Sequence, residues 1–415
     1  MGSGVNFQLQ EDFESVQINK KQKTSFNFID LFAGIGGFHK AGSNLGGNCV
    51  FASEIDESAR ATYHANFIEH NKDLFSSGNF AGDITKVKEK DIPDFDCLFA
   101  GFPCQPFSNA GNKKGFSETR GTLFFDIERI LRCHTPKYMV LENVKHLVNH
   151  DNGNTWKVIT NTVKDIGYIL PENQIIISPH HIGIPQNRER VFILGIHKKC
   201  TNLESLDIKL PDKKRLPKTD VFDIVDFSNN DKELVISEYE KSALEAWDEF
   251  RLNIDDKLSG FAVWIDEFGK NYDYSEYPKW RQDYVTKNRQ LYLKNKKFID
   301  KWLKKHNMFD FRVRERRFEW QAGPGYKSVN DVIVQFRQSG IRCKRPDFFP
   351  ALVAMVQIPV IPKLGRKLSI EEVVKLQSFD GFIKTSNMQQ TYKQFGNSVN
   401  VNVVEYLLRQ LLEQG

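Results

Sequence analysis

The chain has 415 residues, 40% of them hydrophobic, with a formal net charge of +5 and six cysteines. That length sustains roughly two to three domains with a real core, and so mild a positive charge permits a polyanionic partner without requiring one. No apolar run reaches about 18 residues, the polar opening stretch lacks a secretory core, Asn6 breaks the myristoylation pattern and the cysteines show no Cys-x-x-Cys spacing, which argues against a membrane span, export, a lipid anchor, a disulfide framework and a zinc site. A cytoplasmic location is expected.

Residues 1–24 are polar and aperiodic and read as a disordered tail. Residues 26–32 form an apolar strand that runs straight into Ala33-Gly34-Ile35-Gly36-Gly37 and a helix-like stretch. Strand, glycine turn and helix let a backbone approach a nucleotide cofactor closely; because the pattern is not Gly-x-Gly-x-x-Gly, a plain tight turn is the alternative. A second strand, 49–55, ends in Glu54-Ile55-Asp56, about 20 residues past the glycines, where a carboxylate can hold the hydroxyl pair of a ribose. Asp56 has the competing role of capping the helix that follows. Ala81-Gly82-Asp83-Ile84 offers a further acid at which an adenine amino group can be read.

The apolar run that ends at Gly101 leads into Phe102-Pro103-Cys104-Gln105-Pro106. This places a thiol on a stiff loop just past a strand's carboxyl end, where ligand sites of open α/β sheets gather. A thiolate there is a nucleophile; the alternative is a buried, inert cysteine. Residues 111–122, rich in Gly, Lys, Asn and Ser, suit either a flap over a substrate or an ordinary surface loop. A helix at 123–133, a strand at 138–141 ending in Glu142-Asn143-Val144, a helix at 155–166, a strand at 174–178 and Gln186-Asn187-Arg188-Glu189-Arg190 leading into a strand at 191–196 continue the alternation. Such spacing predicts a parallel-rich sheet with helices on both faces. His180 and His181 stand without a matching ligand cluster, so no metal is expected.

From 200 to 233 the chain is charged and irregular, a linker texture. Residues 279–317 hold 14 Lys and Arg against four Asp and Glu, interleaved with Trp280, Tyr284, Tyr292, Phe298, Trp302, Phe309 and Phe311. Basic residues mixed with aromatics are the footprint of a nucleic-acid surface. In the alternative, 291–305 is one amphipathic helix with aromatics packed inward and lysines solvated. Lys296, Lys297, Lys304 and Lys305 are the candidate phosphate contacts. Ser369 with Glu371 and Glu372 marks a capped helix start, and an apolar helix closes the chain.

Taken in order, these segments resemble the DNA cytosine carbon-5 methyltransferases, bacterial companions of restriction enzymes. Asp30-Leu-Phe-Ala-Gly-Ile-Gly-Gly37 is similar to the first cofactor motif, Phe102-Pro103-Cys104-Gln105 to the catalytic motif, Glu142-Asn143-Val144 to the Glu-Asn-Val motif, and Gln186-x-Arg188-x-Arg190 to the Gln-x-Arg-x-Arg motif. Residues 366–377 resemble the helical motif supporting the recognition domain, and Gly396-Asn397-Ser398-Val399 the last motif, which closes the cofactor pocket. One departure is Ala351 before Leu352, where many relatives carry Thr.

The resemblance implies an α/β fold, a Rossmann-like S-adenosylmethionine-dependent methyltransferase sheet with a second, smaller target recognition domain. The catalytic part would span 25–199 completed by 390–415, and the recognition part 200–389 including a supporting helix at 366–380. It implies S-adenosylmethionine held by Asp30, Phe32 against the adenine, Ala33, Gly34, Gly36, Glu54 at the ribose, Ile55, Asp83 at the adenine, Ile84, Pro103, Asn397 and Ser398. Catalysis would rest on Cys104, Glu142, Arg188 and Arg190, and DNA contacts on Gln105, Ser108, Arg120 and the four lysines. The implied reaction is methylation of carbon 5 of a flipped-out cytosine in double-stranded DNA through a covalent Cys104 adduct, by a monomer, as the modification partner of a restriction system. Two rivals are a transfer-RNA methyltransferase, whose Cys-Phe-Thr signature is absent, and a catalytically silent DNA-binding module, against which Cys104, Glu142 and Arg190 all speak.

Overall fold

The computed structural model describes residues 25–103, 123–254, 258, 260–352 and 357–415. The proposed tail, Cys104, Gln105, Ser108, Arg120 and the 111–122 flap lie outside the described residues. Contacts divide the chain into two compact units, one running to Lys218 and resumed by Val374–Gly415, the other formed by Thr219–Val373.

The first unit is built on an eight-stranded sheet. Its strands are β1 (Phe26–Leu31), β2 (Gly47–Ser53), β3 (Phe80–Ala81), β4 (Cys97–Gly101), β5 (Tyr138–Val144), β6 (Tyr168–Ile169), β7 (Ile175–Ile177) and β8 (Arg190–His197). They lie in the order 3-2-1-4-5-8-6, with β7 also paired to β8. The strands of the centre are buried on both faces, so they read as continuous apolar runs and not as alternation. Successive side chains serve opposite layers. Phe28 packs on Phe99 at 5.2 Å, and Phe99 stacks on Phe38 of the Gly37–Asn44 helix at 5.3 Å, while Ile29, Leu98 and Met139 share a cluster with Ile127 and Ile130 of the Phe124–His134 helix.

The sheet is mixed. β1 to β5 pair in parallel, whereas β8 runs antiparallel to β5, β6 and β7. The antiparallel β5–β8 ladder sets Val144, at the end of β5, opposite Arg190, at the start of β8. It thereby brings Arg190 to the edge of the sheet where Glu142 stands.

The unit boundaries differ from those read in the sequence, 199/200 and 389/390, because two stretches pack with the first unit. Residues 200–218 follow the C-terminal helix Val401–Glu413, where the backbone N–H groups of Asp207 and Lys209 donate to Gln414 and Gln410 at 2.9 and 2.8 Å. Beyond Val373, the Asn400 amide donates to the Leu376 carbonyl at 2.8 Å.

The second unit has a six-stranded sheet and three α-helices in its middle, Glu238–Asn253, Lys279–Lys294 and Lys296–Lys305. Trp247 and Trp302 are its largest buried side chains together with Trp320. Each buried indole N–H is satisfied, Trp247 by the Glu315 carbonyl and Trp302 by the Ala246 carbonyl, both at 2.7 Å. The helix expected at 291–305 is two helices meeting at Asn295. That residue leaves helical geometry (φ −114°, ψ 19°), and its side-chain amide donates to the Leu291 carbonyl at 3.0 Å. Further on, Ser369 and Glu372 form a reciprocal cap, the Ser369 N–H reaching Glu372 at 2.7 Å. Glu372 also holds Arg366 through two bonds at 2.7 and 3.0 Å, a buried bidentate pair.

Candidate active site

The carboxyl ends of β1, β2, β4 and β5 lie side by side, and every predicted site residue among the described ones of the first unit belongs to these ends, to Ile84 and Asp83 beyond β3, to the Gln186–Arg190 stretch, or to Gly396–Ser398, where the Met388–Asn397 helix ends and the chain turns. The chain leaves β1 through Phe32, a non-glycine residue with φ of 56°, followed by Gly34 and Gly36 at 57° and 88°. Only glycine fits at 36, because a Cβ there would stand 2.2 Å from the Phe67 ring. At Gly34 the same direction is open, with no described atom within 4 Å.

Glu54 faces this turn. Its carboxylate accepts the Gly34 N–H at 2.7 Å and the Asp56 N–H at 2.8 Å. Asp56 itself caps the Glu57–Phe67 helix through Ala59 N–H at 2.9 Å, so the two acids have separate tasks. Ile55 between them is 71% exposed, an apolar side chain left for something flat to cover. Asp83 accepts from the Thr85 N–H and hydroxyl at 3.0 and 2.7 Å, and these bonds hold its carboxyl below the usual range. Ile84 is buried.

Asp30 lies one residue before the end of β1, and one of its carboxylate oxygens meets no hydrogen-bond partner among the described residues. It is fully buried and accepts the His39 N–H at 3.2 Å, serving the start of the Gly37–Asn44 helix. Burial pushes its pKa well up, partly offset by the His39 bond, and nearby Glu54 adds to the rise.

The second half of the site lies across β4 and β5. Gly101 is registered against Glu142, and a Cβ at Gly101 would stand 3.6 Å from the Glu142 carboxylate. Phe102 is buried and Pro103 exposed. The Asn143 amide donates to the Phe102 carbonyl at 2.9 Å and its oxygen accepts the Val144 N–H at 2.8 Å, tying the end of β5 to the chain just before Cys104. Asn143 was visible inside the Glu-Asn-Val run, but nothing in sequence shows which backbone atom a buried amide will meet.

Glu142 is 8% exposed and accepts from Arg190 Nε at 2.9 Å. Burial raises its pKa; Arg190 and Arg188 pull against that rise without cancelling it. Arg188 is buried too, and loss of hydration, helped by the neighbouring Arg190 cation, brings it down to about 9. Its Nη2 donates to the carbonyls of Gly396 and Ser398 at 2.9 and 2.6 Å. Arg188 therefore braces the last motif. Through that turn Ser398 reaches the glycine loop, its hydroxyl lying 2.9 Å from where a Gly37 Cβ would be, while Asn397 is exposed.

These residues fit a nucleoside cofactor bearing a charged tail. The open side of Gly34, a carboxylate at Glu54, the uncovered Ile55 and the acid at Asp83 occur in the order of β1, β2 and β3. His180 and His181 bond within their own turn, to Ser178, at 2.9 and 3.3 Å. Among the described residues no group of three or more His, Cys, Asp or Glu could hold a metal ion, and no helix is long and apolar enough to cross a membrane. In the second unit, Lys296, Lys297, Lys304 and Lys305 all lie exposed on the Lys296–Lys305 helix.

Comparison with known proteins fixes the class. The family model of C-5 cytosine-specific DNA methylases matches residues 26–413. The chain is 30% identical to the Type II methyltransferase M.AluI of Cellulosimicrobium cellulans, over 94% of this chain and 92% of the relative. It is 32% identical to the Type II methyltransferase M1.ScrFI of Lactococcus lactis subsp. cremoris, over 96% and 81%. Locally the identity rises: 53% to M.HpaII of Haemophilus parainfluenzae over 184 residues, 43% of this chain and 48% of that one. Among solved structures, DNMT2 of Spodoptera frugiperda superposes with a TM-score of 0.52 at 18% identity, covering 93% of this chain and 99% of the other; at that identity the likeness speaks for the fold.

Fold and family model together define a DNA methyltransferase of the α/β class. Within it, the chain belongs to the C-5 cytosine-specific DNA methylase family, a family of S-adenosylmethionine-dependent enzymes.

Proposed function

We propose that this chain methylates carbon 5 of a cytosine within a specific sequence of double-stranded DNA, with S-adenosylmethionine as the methyl donor and Cys104 as the nucleophile. The observation that carries the reading is Glu142: a buried carboxyl with a raised pKa, at the end of a central strand, bonded to Arg190 and two residues along the strand from it in space. Such a group keeps its proton to higher pH than a free carboxyl does and can share it with a ring nitrogen.

Carbon 5 of cytosine is a poor nucleophile until electrons are pushed to it. The Cys104 thiolate adds to carbon 6, forming a C–S bond, and Glu142 gives its proton to ring nitrogen 3 as charge gathers there. Arg190 steadies the carbonyl at carbon 2, and Arg188 keeps the closing turn in place behind it. S-adenosylmethionine, when bound, supplies an electrophilic methyl group on a sulfonium centre. Glu54 and the Gly34 turn orient it, Ile55 packs on its base and Asp83 reads the base's amino group. Removal of the carbon 5 proton by a base or water then restores the ring double bond, breaks the C–S bond and returns the nitrogen proton to Glu142.

A stacked base offers none of these atoms, so the cytosine is flipped out, at a cost of about a few kcal/mol; Gln105, Ser108 and Arg120 are the residues assigned to the vacated duplex. Thr219–Val373 serves target recognition, its basic face meeting the DNA backbone. The chain acts as a cytoplasmic monomer and as the modification half of a restriction system.

The test is covalent capture. A duplex carrying 5-fluorocytosine in the target sequence becomes attached to the protein in the presence of S-adenosylmethionine, since fluorine cannot leave as a proton does. Cys104→Ser forms no adduct but still binds cofactor and DNA. An adduct on transfer RNA and on no duplex overturns the choice of substrate, and turnover by Cys104→Ser overturns the mechanism.

A further inference from the structure

The Lys296–Lys305 helix carries five lysines, and their surroundings sort them into two sets. Lys296 is paired with Asp300 on its own helix and lies over the Tyr292 ring at 5.3 Å. Lys305 is paired with Glu249 at 2.6 Å, on an acid that also takes His306 at 2.7 Å. Both charges are already answered. Lys297, Lys301 and Lys304 recur at i, i+4 and i+7, which is a single stripe along a helix. All three are exposed, and among the described residues no carboxylate pairs with them. The opposite side of the same helix is anchored, Ile299 and Trp302 being buried and Phe298 and Leu303 packed on the core. The stripe is thus presented on a rigid support. At its N-terminal end Lys297 and Lys301 join Lys294, Asn295 and Phe298 around a hollow of ≈ 420 Å³.

We propose that Lys297, Lys301 and Lys304 form a phosphodiester site that takes successive phosphates of one DNA strand, while Lys296 and Lys305 take none. The proposal rests on the reading of the chain as a DNA methyltransferase. Seven residues of helix rise about 10 Å, and one DNA strand places a phosphate every 3.4 Å or so of its axis, so the stripe spans about three nucleotides. A lysine already held by a carboxylate has to leave it before it can neutralise a phosphate, and the exchange releases little counterion.

The experiment compares Lys297→Gln/Lys301→Gln/Lys304→Gln with Lys296→Gln/Lys305→Gln in the full chain, measuring duplex DNA affinity as a function of salt and methylation rate at saturating DNA. Each phosphate contact contributes about 0.9 to the slope of log affinity against log salt. The triple variant is expected to lose about 2 to 3 from that slope; the double variant keeps the parental slope within about 0.5. A triple variant as steep as the parent, or a double variant as flattened as the triple, overturns the assignment. A parent that shows no salt dependence and methylates no duplex overturns the underlying DNA reading instead.

Discussion

The Asn143 side-chain amide donates to the Phe102 carbonyl at 2.9 Å, so the end of β5 holds the chain two residues ahead of Cys104. Replacing Asn143 with Leu keeps the volume and removes the bond. It leaves a buried carbonyl unsatisfied, costing about 1–2 kcal/mol of stability, and a nucleophile displaced by as little as about 1 Å can cost on the order of a hundredfold in rate. We expect kcat to drop 10- to 100-fold or so with cofactor affinity unchanged, and Cys104 to be alkylated by iodoacetamide at an altered rate. Unaltered alkylation and kcat would show that the bond positions nothing.

Glu142 gives the enzyme a pH dependence whose sign is fixed by burial. Its pKa is raised, so the protonated form that the reaction needs is present below that pKa and lost as pH rises through it. The rate should therefore decline on the alkaline side. Glu142→Gln should be slower by roughly 100- to 10,000-fold and its residual rate should lack that limb. An identical limb in the variant assigns the titration to another group.

Arg188 tests how the closing turn is held. Arg188→Met keeps a long side chain but drops the bonds to the Gly396 and Ser398 carbonyls. Hydrogen bonds from a charged donor contribute about 1.5–3 kcal/mol each, so the denaturation midpoint should fall by the equivalent of about 2–5 kcal/mol. A loss below about 0.5 kcal/mol would place the bracing elsewhere.

Glu54 should govern the cofactor and leave DNA alone. Glu54→Gln retains an acceptor for one N–H and loses the charge between the Gly34 and Asp56 amides. Calorimetry with S-adenosylmethionine should show affinity weakened about 10- to 100-fold, the worth of a charge-assisted bond, with duplex affinity unaltered. Equal cofactor affinity in the variant would remove Glu54 from the site.

His39 predicts an acid limit to stability. It is buried, stacked on Phe67 at 3.9 Å and bonded through Nδ1 to the Tyr63 hydroxyl at 2.6 Å, and burial holds its pKa down to about 3 from 6.5. The folded-state pKa is the lower one, so the unfolded chain binds the proton first. Its share of stability is complete above pH 6.5 and is lost as pH falls from there toward 3. Replacing His39 with Gln should flatten stability against pH in that window by up to about 1.4 kcal/mol per pH unit. An unchanged slope means that other groups carry the acid limit.

The sequence by itself determined the elements whose signals are local. The glycine turn after β1 was legible because a left-handed backbone and the approach of Phe67 leave room for glycine alone at 36. Glu54 and Glu142 were legible as groups at strand ends, since apolar runs buried on both faces announce the strands and the polar residue that stops each run marks its edge. The alternation of strand and helix likewise settled the α/β class. Partnerships across the chain were decided by the tertiary structure. The antiparallel course of β8, which sets Arg190 beside Glu142, depends on pairing between segments some 50 residues apart, and period alone does not give strand direction. Asp30 reads as an acid near a strand end; that it is fully buried and accepts the His39 N–H at a helix start was decided by packing. Lys296 and Lys305 look the same as Lys297 and Lys304 in a row of letters; what separates them is a carboxylate, one on the same helix and one on a helix 56 residues away. A charge's partner is a matter of distance in space, and that distance exists only once the chain has packed.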